Sequence, residues 1–368
     1  MTLRTKVSLG MLLFVPVSIA VDRLGLGAAA VFVSSALAIL PLAVWLSTAT
    51  EELALALGPS IGALLNALFG NATELIIALT ALRAGLVEIV KASITGTVVA
   101  NLLLALGLSM LVGGVGRQEQ RFQPVVARVN GTAMSLAVVA ILIPSLTGMG
   151  DGGHGLGTHR FSTCVAWVLL LVYGLTLLFS LRTHSGLYAV AEAELAEAEA
   201  PQESAPVHRP PLLPWLGVLL AATAGVAYES ELFVGVVEEV TANLGLSALF
   251  TGVVLLPLLG GVAEYLTAVT MARKNKMDLA VSVALGSTLL VALLVVPLLV
   301  LLGPVLGHPL DLNFQLYELM AIATAVVVSN LVSLDGRSDW LEGVLLLAAY
   351  VILAAGFYFQ SLPLVPVS

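Results

Sequence analysis

The sequence predicts an all-helical integral membrane protein with about eleven transmembrane helices, and three observations predict it. Of its 368 residues, 59% are hydrophobic and only 10% charged, with a mean hydropathy of +1.05. Soluble domains carry about 25% charged residues, so this chain belongs in a bilayer. Its apolar runs are long and continuous, without the alternation over about ten residues that marks a lipid-facing barrel strand, and helices are the remaining spanning structure. Finally, the chain repeats itself: slid back by 190 residues, Gly260-Gly261-Val262-Ala263-Glu264-Tyr265 falls on Gly70-Asn71-Ala72-Thr73-Glu74-Leu75.

The first span is read from Val7 to Val21, behind Arg4 and Lys6. Ser18-Ile19-Ala20 also resembles a signal-peptide cleavage site, but a retained span is the better reading. Apolar segments follow at roughly 28–49, 60–82, 89–113, 125–147 and 160–181. Between 183 and 210 the composition turns to alternating Ala and Glu and then to Pro201, Pro206, Pro210 and Pro211, which predicts an acidic surface helix and a stiff linker. Five more segments come at roughly 211–230, 246–272, 279–302, 312–333 and 340–360. The domain reading is a leading helix over 1–24, a first five-helix unit over 25–182, the linker over 183–210 and a second five-helix unit over 211–368.

Lysine and arginine favour the cytoplasmic side, which orients this array. With the N-terminus inside, the cytoplasmic loops hold Arg4, Lys6, Arg117, Arg121, Arg128, Arg182, Arg209, Arg273, Lys274, Lys276 and Arg337. Only Arg23, Arg83, Lys91 and Arg160 remain outside. A multi-pass protein of a bacterial-type plasma (inner) membrane is expected. The 190-residue register also pairs Ala78 with Ala268, Thr80 with Thr270, Arg83 with Arg273 and Gly96 with Gly286. Five spans separate the copies, so they enter the membrane in opposite directions. Such inverted repeats place a substrate site near the midplane and lend themselves to alternating access.

Each copy holds a carboxylate inside an apolar segment, Glu74 and Glu264, at a cost of roughly 2.5–3.5 kcal/mol per residue on insertion scales. One such residue can be a buried packing group. Two at matching positions beside glycines point to an ion pathway. Asn71 lies three residues before Glu74, hence on the same helical face, and Gly70 permits a local break that frees carbonyls. The next span adds Ser93, Thr95, Thr97 and Asn101, and the second copy adds Thr267, Thr270, Ser282, Ser287 and Thr288. Oxygen ligands of this kind suit a hard cation. Isolated Ser and Thr often bond their own helix instead, so about half of them are expected to line a pathway. Two facing carboxylates can neutralise one divalent cation or each hold a proton, and competition for the same oxygens is the physical basis of antiport.

At this point the sequence resembles a known family. Gly70-Asn71-Ala72-Thr73-Glu74-Leu75, the run Lys91-Ala92-Ser93-Ile94-Thr95-Gly96 with Asn101-Leu102-Leu103-Leu104, Lys274-Asn275-Lys276-Met277-Asp278-Leu279, Gly286-Ser287, and Asp335-Gly336-Arg337-Ser338-Asp339-Trp340-Leu341-Glu342-Gly343 look like the Ca2+/H+ antiporters of the cation/Ca2+ exchanger superfamily. The resemblance implies one leading helix plus two inverted five-helix repeats, and export of cytosolic Ca2+ driven by proton entry. It matches Glu74 and Glu264 to the paired ion-binding glutamates; Asn71, Asn101, Ser93, Thr97 and Ser287 are the supporting ligands expected from the residues themselves. It matches Glu192, Glu194, Glu197, Glu199 and Glu203 to a cytoplasmic acidic helix; a solvated Ala/Glu linker is the equal alternative.

The departures are informative. The second family motif normally reads Gly-Asn-Ala-Ala-Glu-His, whereas here Gly261 takes the asparagine position and Tyr265 the histidine position. Leu290 stands where a glutamine is usual, and Ala100 where a serine is common. These changes are expected to bear on selectivity, so exchange of Na+, K+ or Mn2+ is the alternative within transport. A membrane-embedded hydrolase is disfavoured, since no HExxH motif or Ser-His pair falls within the spans, and all five histidines are read into loops. A passive channel fits an inverted repeat poorly. No enzyme activity, cofactor or nucleic-acid groove is predicted; the expected partners are the bilayer, an inorganic cation and the proton. Glu318 and Glu342 are secondary candidates near span ends, and Glu229, Glu231, Glu238 and Glu239 are placed on the outer side as a cation funnel or a helix cap. Cys164, the single cysteine, reads as a small apolar filler.

Overall fold

The computed structural model describes residues 8–150, 156–183 and 210–360. The acidic segment with Glu192, Glu194, Glu197 and Glu199 lies outside them. The helices run α1 Phe14–Arg23, α2 Ala28–Leu57, α3 Pro59–Phe69, α4 Ala72–Arg83, α5 Val87–Gly114, α6 Pro124–Gly150 and α7 Leu156–Leu178. The second half follows with α8 Leu212–Asn243, α9 Ala248–Gly260, α10 Val262–Arg273, α11 Met277–Leu302, α12 Leu316–Val332 and α13 Trp340–Gln360. Seven of these helices are long and apolar enough to cross a membrane, or up to eight if the bent pair α9 and α10 counts as one span. The other predicted segments form helices shorter than a span: α1 with 10 residues, α3 and α4 with 11 and 12, and α12 with 17.

Local sequence explains the breaks. Gly58, at φ +84°, ends α2, and Pro59 supplies the preset φ at the start of α3. Between α3 and α4 the chain leaves helical geometry at Asn71, with φ −120° and ψ 34°. Between α9 and α10 it bends by 60° around Gly261. Ser247 starts α9 as an N-cap, its Oγ accepting the Phe250 N–H at 3.0 Å. Widened π-helical turns interrupt α5 at Ala100–Ala105 and α11 at Val291–Val295, which are the same place in the 190-residue register. Such turns gather at functional positions.

Helices α5 and α11 form the centre of the bundle: 83% of the most apolar window of α5 and 67% of that of α11 are buried, against 11% for α7 and 22% for α8 and α13. The peripheral helices therefore present their apolar faces outward, as a bilayer requires. Cys164 is exposed on α7 rather than filling the core, because α7 lies at this periphery. His159 sits in the first turn of α7 rather than in a loop.

The halves are joined at both ends of α5. At one end β1 Gln120–Arg121 pairs antiparallel with β2 Arg337–Ser338. There the Gln120 amide donates to Ala272 O and Asn275 Oδ1, both at 2.9 Å, and Arg117 donates to Arg273 O at 3.1 Å. The motifs around Asn275 and Arg337 thus serve as a clasp. Glu119 accepts from Arg121 and Arg337, and the Arg121 hydrogen bond is the main reason its carboxyl is held below the usual 4.5. At the other end Lys91 forms a buried ion pair with Asp311 at 2.6 Å and also donates to Asn313 O at 2.9 Å.

Candidate functional site

Both broken-helix motifs place their glutamate in the first turn of the second half-helix, Glu74 on α4 and Glu264 on α10. The partial positive charge of a helix N-terminus favours an anionic group there. Both carboxylate oxygens of Glu74 and Oε2 of Glu264 are buried without a hydrogen-bond partner. Buried polar atoms are ordinarily satisfied, so unpartnered oxygens at matching positions mark a place built for something else to enter.

The two motifs meet. A Cβ at Gly260 would lie 2.9 Å from Glu74 Cγ, so the second motif can approach the first only because residue 260 is glycine. Glu74 and Glu264 are close enough for their charges to repel, and Glu51 on α2 adds to the repulsion at Glu264. Asn71 donates through Nδ2 to Ser287 Oγ at 2.7 Å, and Asn101 donates to the same oxygen at 3.1 Å. One hydroxyl from the second half therefore gathers two amides from the first, and both amide oxygens remain as potential cation ligands. Asn71, Asn101, Thr97 and Ser287 are all buried.

Other predicted residues are placed differently. Ser93 donates to its own helix at Val90 O, 2.8 Å away, and Thr270 and Thr288 likewise bond their own helices at Leu266 O and Ala284 O. Leu290 is partly buried and packs against the apolar core just before the π-helical turn of α11. Glu318 is a cap: it accepts the Gln315 N–H at 2.9 Å and the Thr95 hydroxyl at 3.2 Å. Glu342 accepts the Asp339 N–H at 3.2 Å. Glu229, expected at the outer end of a shorter span, instead sits near the middle of the 32-residue α8, fully buried, with Oε1 2.7 Å from Ser18 Oγ. The apolar reading ended that span at 230, but the helix continues to Asn243 through Glu231, Glu238 and Glu239.

Glu51 was missed for a similar reason. The predicted span stopped at residue 49, whereas α2 runs to Leu57, and Ser47 holds Glu51 by donating to Oε1 at 3.0 Å. The Ser47 and Glu51 spacing of one helical turn was the available signal. Among the described residues no group of three or more His, Cys, Asp or Glu side chains is arranged to hold a metal ion.

The model of the sodium/calcium exchanger protein family matches residues 27–182 and 214–359. This chain belongs to that family. It is 49% identical over 369 residues to a Ca2+/H+ antiporter of Aphanothece halophytica, covering 99% of this chain and 98% of that one. It is 42% identical over 350 residues to the Ca2+/H+ antiporter ChaA of Bacillus subtilis, covering 94% and 96%. Among solved structures it resembles the Ca2+/H+ antiporter protein YfkE with a TM-score of 0.81 at 36% identity, over 96% of this chain and 99% of that one. For a member of the sodium/calcium exchanger family, the all-helical fold and the membrane setting follow directly.

Proposed function

We propose that this chain exchanges cytosolic Ca2+ for external H+ by alternating access at a site formed by Glu74 and Glu264. The observation that carries the reading is the pair of glutamates in the first turns of α4 and α10, with both oxygens of Glu74 and Oε2 of Glu264 buried and unpartnered. A divalent cation bound between them neutralises both charges, with Asn71, Asn101, Thr97 and Ser287 as neutral oxygen donors. When the cation leaves, the desolvated pair takes up protons, because two bare carboxylates this close repel each other in a medium of low dielectric. Cation and proton thus compete for the same oxygens, and neither crosses without excluding the other. The names of its relatives support Ca2+ and H+ as the substrates.

The packing of the half-helices supports alternating access. Helix α9 lies tight against α5: a Cβ at Gly96 would strike the Val253 backbone, and one at Gly252 would strike Ala92. Its counterpart α3 leans on α2 instead, leaving Ile61, Leu64 and Leu68 exposed. With a cytoplasmic N-terminus in the plasma (inner) membrane, α9 is on the external side and α3 on the cytoplasmic side. The conformation is then closed outward and open inward.

Proteoliposomes loaded with a pH-sensitive dye and exposed to Ca2+ test this. Ca2+-driven proton flux is expected from the wild type and none from E74Q or E264Q. Full flux from either variant rejects the paired-carboxylate site. A second reading, exchange of Na+, K+ or Mn2+, is favoured by Gly261 and Tyr265 alone, and the same vesicles with those cations decide it.

A further inference from the structure

Gly261 and Tyr265 are two departures with one cause. The backbone at Gly261, φ −82° and ψ 6°, is one that any residue adopts, so conformation does not demand glycine. Space does. A Cβ at 261 would lie 2.6 Å from both Cζ and Oη of Tyr265 and 2.9 Å from its Cε1. The Tyr265 ring, only 8% exposed, fills the volume that any side chain at 261 would need. Its hydroxyl donates to Pro257 O at 3.0 Å, a carbonyl that also accepts the Gly261 N–H at 2.9 Å. Tyr265 follows Glu264 directly and its ring lies against Gly261, the neighbour of the Gly260 that packs on Glu74, so it borders the site.

The first copy shows what is missing. At the positions of Gly261 and Tyr265 it has Asn71 and Leu75, and the Asn71 amide crosses to Ser287 on α11. The same register sets Ser287 on Thr97 of α5, which is buried. It also sets Asn101 on Val291. The second half-site therefore keeps a hydroxyl, Thr97, with neither amide to reach it.

We propose that Tyr265 is a specificity-determining residue that closes the second half-site. Its ring excludes a ligand side chain at 261, its hydroxyl occupies the Pro257 carbonyl, and a transported cation draws its amide ligands from Asn71 and Asn101 alone. This proposal rests on the exchange reading above. Ca2+ takes about six to eight oxygens, so loss of one amide weakens its binding more than that of a smaller ion such as Mn2+, which octahedral oxygen sites satisfy.

The test converts the second copy to the residues of the first in the full chain. Wild type, G261N, Y265L and G261N/Y265L are compared by thermal unfolding in detergent and by Ca2+- and Mn2+-driven proton flux in proteoliposomes. G261N alone should lower Tm, and Y265L should restore it. Relative to wild type, the double variant should show a Ca2+ KM about tenfold lower, with kcat within about twofold and a raised preference for Ca2+ over Mn2+. If G261N is as stable beside Tyr265 as in the Y265L background, the steric interlock is wrong. A folded double variant with wild-type KM and preference overturns the specificity role. Absence of Ca2+-driven flux in the wild type overturns the exchange reading and the specificity role with it, while the unfolding cycle still reports the interlock on its own.

Discussion

At the first break Asn71 turns its amide across the molecule to Ser287, 2.7 Å away, and a second amide from Asn101 reaches the same hydroxyl. At the second break Gly261 carries no side chain, a tyrosine ring lies over it, and Val291 replaces the second amide. The two places share a backbone plan: a glycine-flanked break, a glutamate in the first turn of the half-helix that follows, and a π-helical turn in the next helix. They differ in their neutral oxygen donors. In the proposed exchange both copies supply the charge that compensates a divalent ion, whereas the amide ligands all come from one side. On that reading the shared positions carry the mechanism and the unshared ones tune selectivity.

The largest expected effect concerns what the copies share. E74Q and E264Q should each reduce Ca2+-driven proton flux in vesicles to background, and one active variant would mean that a single carboxylate suffices. Next comes the packing difference between Gly96 and Gly286. G96A should destabilise the protein by about 1–3 kcal/mol through overpacking against the Val253 backbone, measured by thermal unfolding. G286A should be close to neutral, since its new methyl meets nothing within 4 Å; equal losses would show that α5 and α11 are gripped alike. A smaller effect separates Ser287 from its counterpart Thr97. S287A removes an oxygen donor that also accepts from two amides, about 1 kcal/mol and so about fivefold in Ca2+ KM, while T97A removes a donor that no amide reaches and should raise KM only about twofold. Equal shifts would erase the asymmetry.

The smallest effect lies where the halves are clasped. The Glu119 carboxyl is held below 4.5 by Arg121 first and Arg337 after it. A group depressed in the folded state adds stability above its unfolded value, and that contribution is lost as pH falls below 4.5 through the folded value. E119Q should remove this part of the acid sensitivity in a Tm-against-pH series and leave Tm at pH 7 little changed, as expected of a solvent-exposed pair.

Much of this architecture is legible in the chain. Long apolar runs demand helices because lipid offers no partner for backbone N–H and C=O groups. The 190-residue register is visible in Gly70 with Gly260 and Glu74 with Glu264, and Asn71, Asn101 and Ser287, singled out from the sequence, converge in space. Helix ends were less legible. Apolar runs end at about 49 and 230, whereas α2 continues to Leu57 and α8 to Asn243. The carboxylates beyond the apolar runs therefore lie on helices, with Ser47 bonded to Glu51 and Ser18 to the buried Glu229. The hydrogen bonds of Ser93 and Glu318 were equally hidden, since a hydroxyl bonded to Val90 O and a carboxylate capping Gln315 look the same in one dimension as groups without those partners.

By itself, then, the sequence determined the membrane setting, the doubled plan and the two carboxylates, because periodicity and the cost of a charge in hydrocarbon depend on composition along the chain. Only the tertiary structure decided that Gly260 is the seat of Glu74, that Ser287 serves both amides, and that Gly261 is a glycine because Tyr265 occupies its space. Those facts depend on which atoms from distant segments share a volume, and excluded volume between residues far apart in the chain leaves no mark on either segment alone.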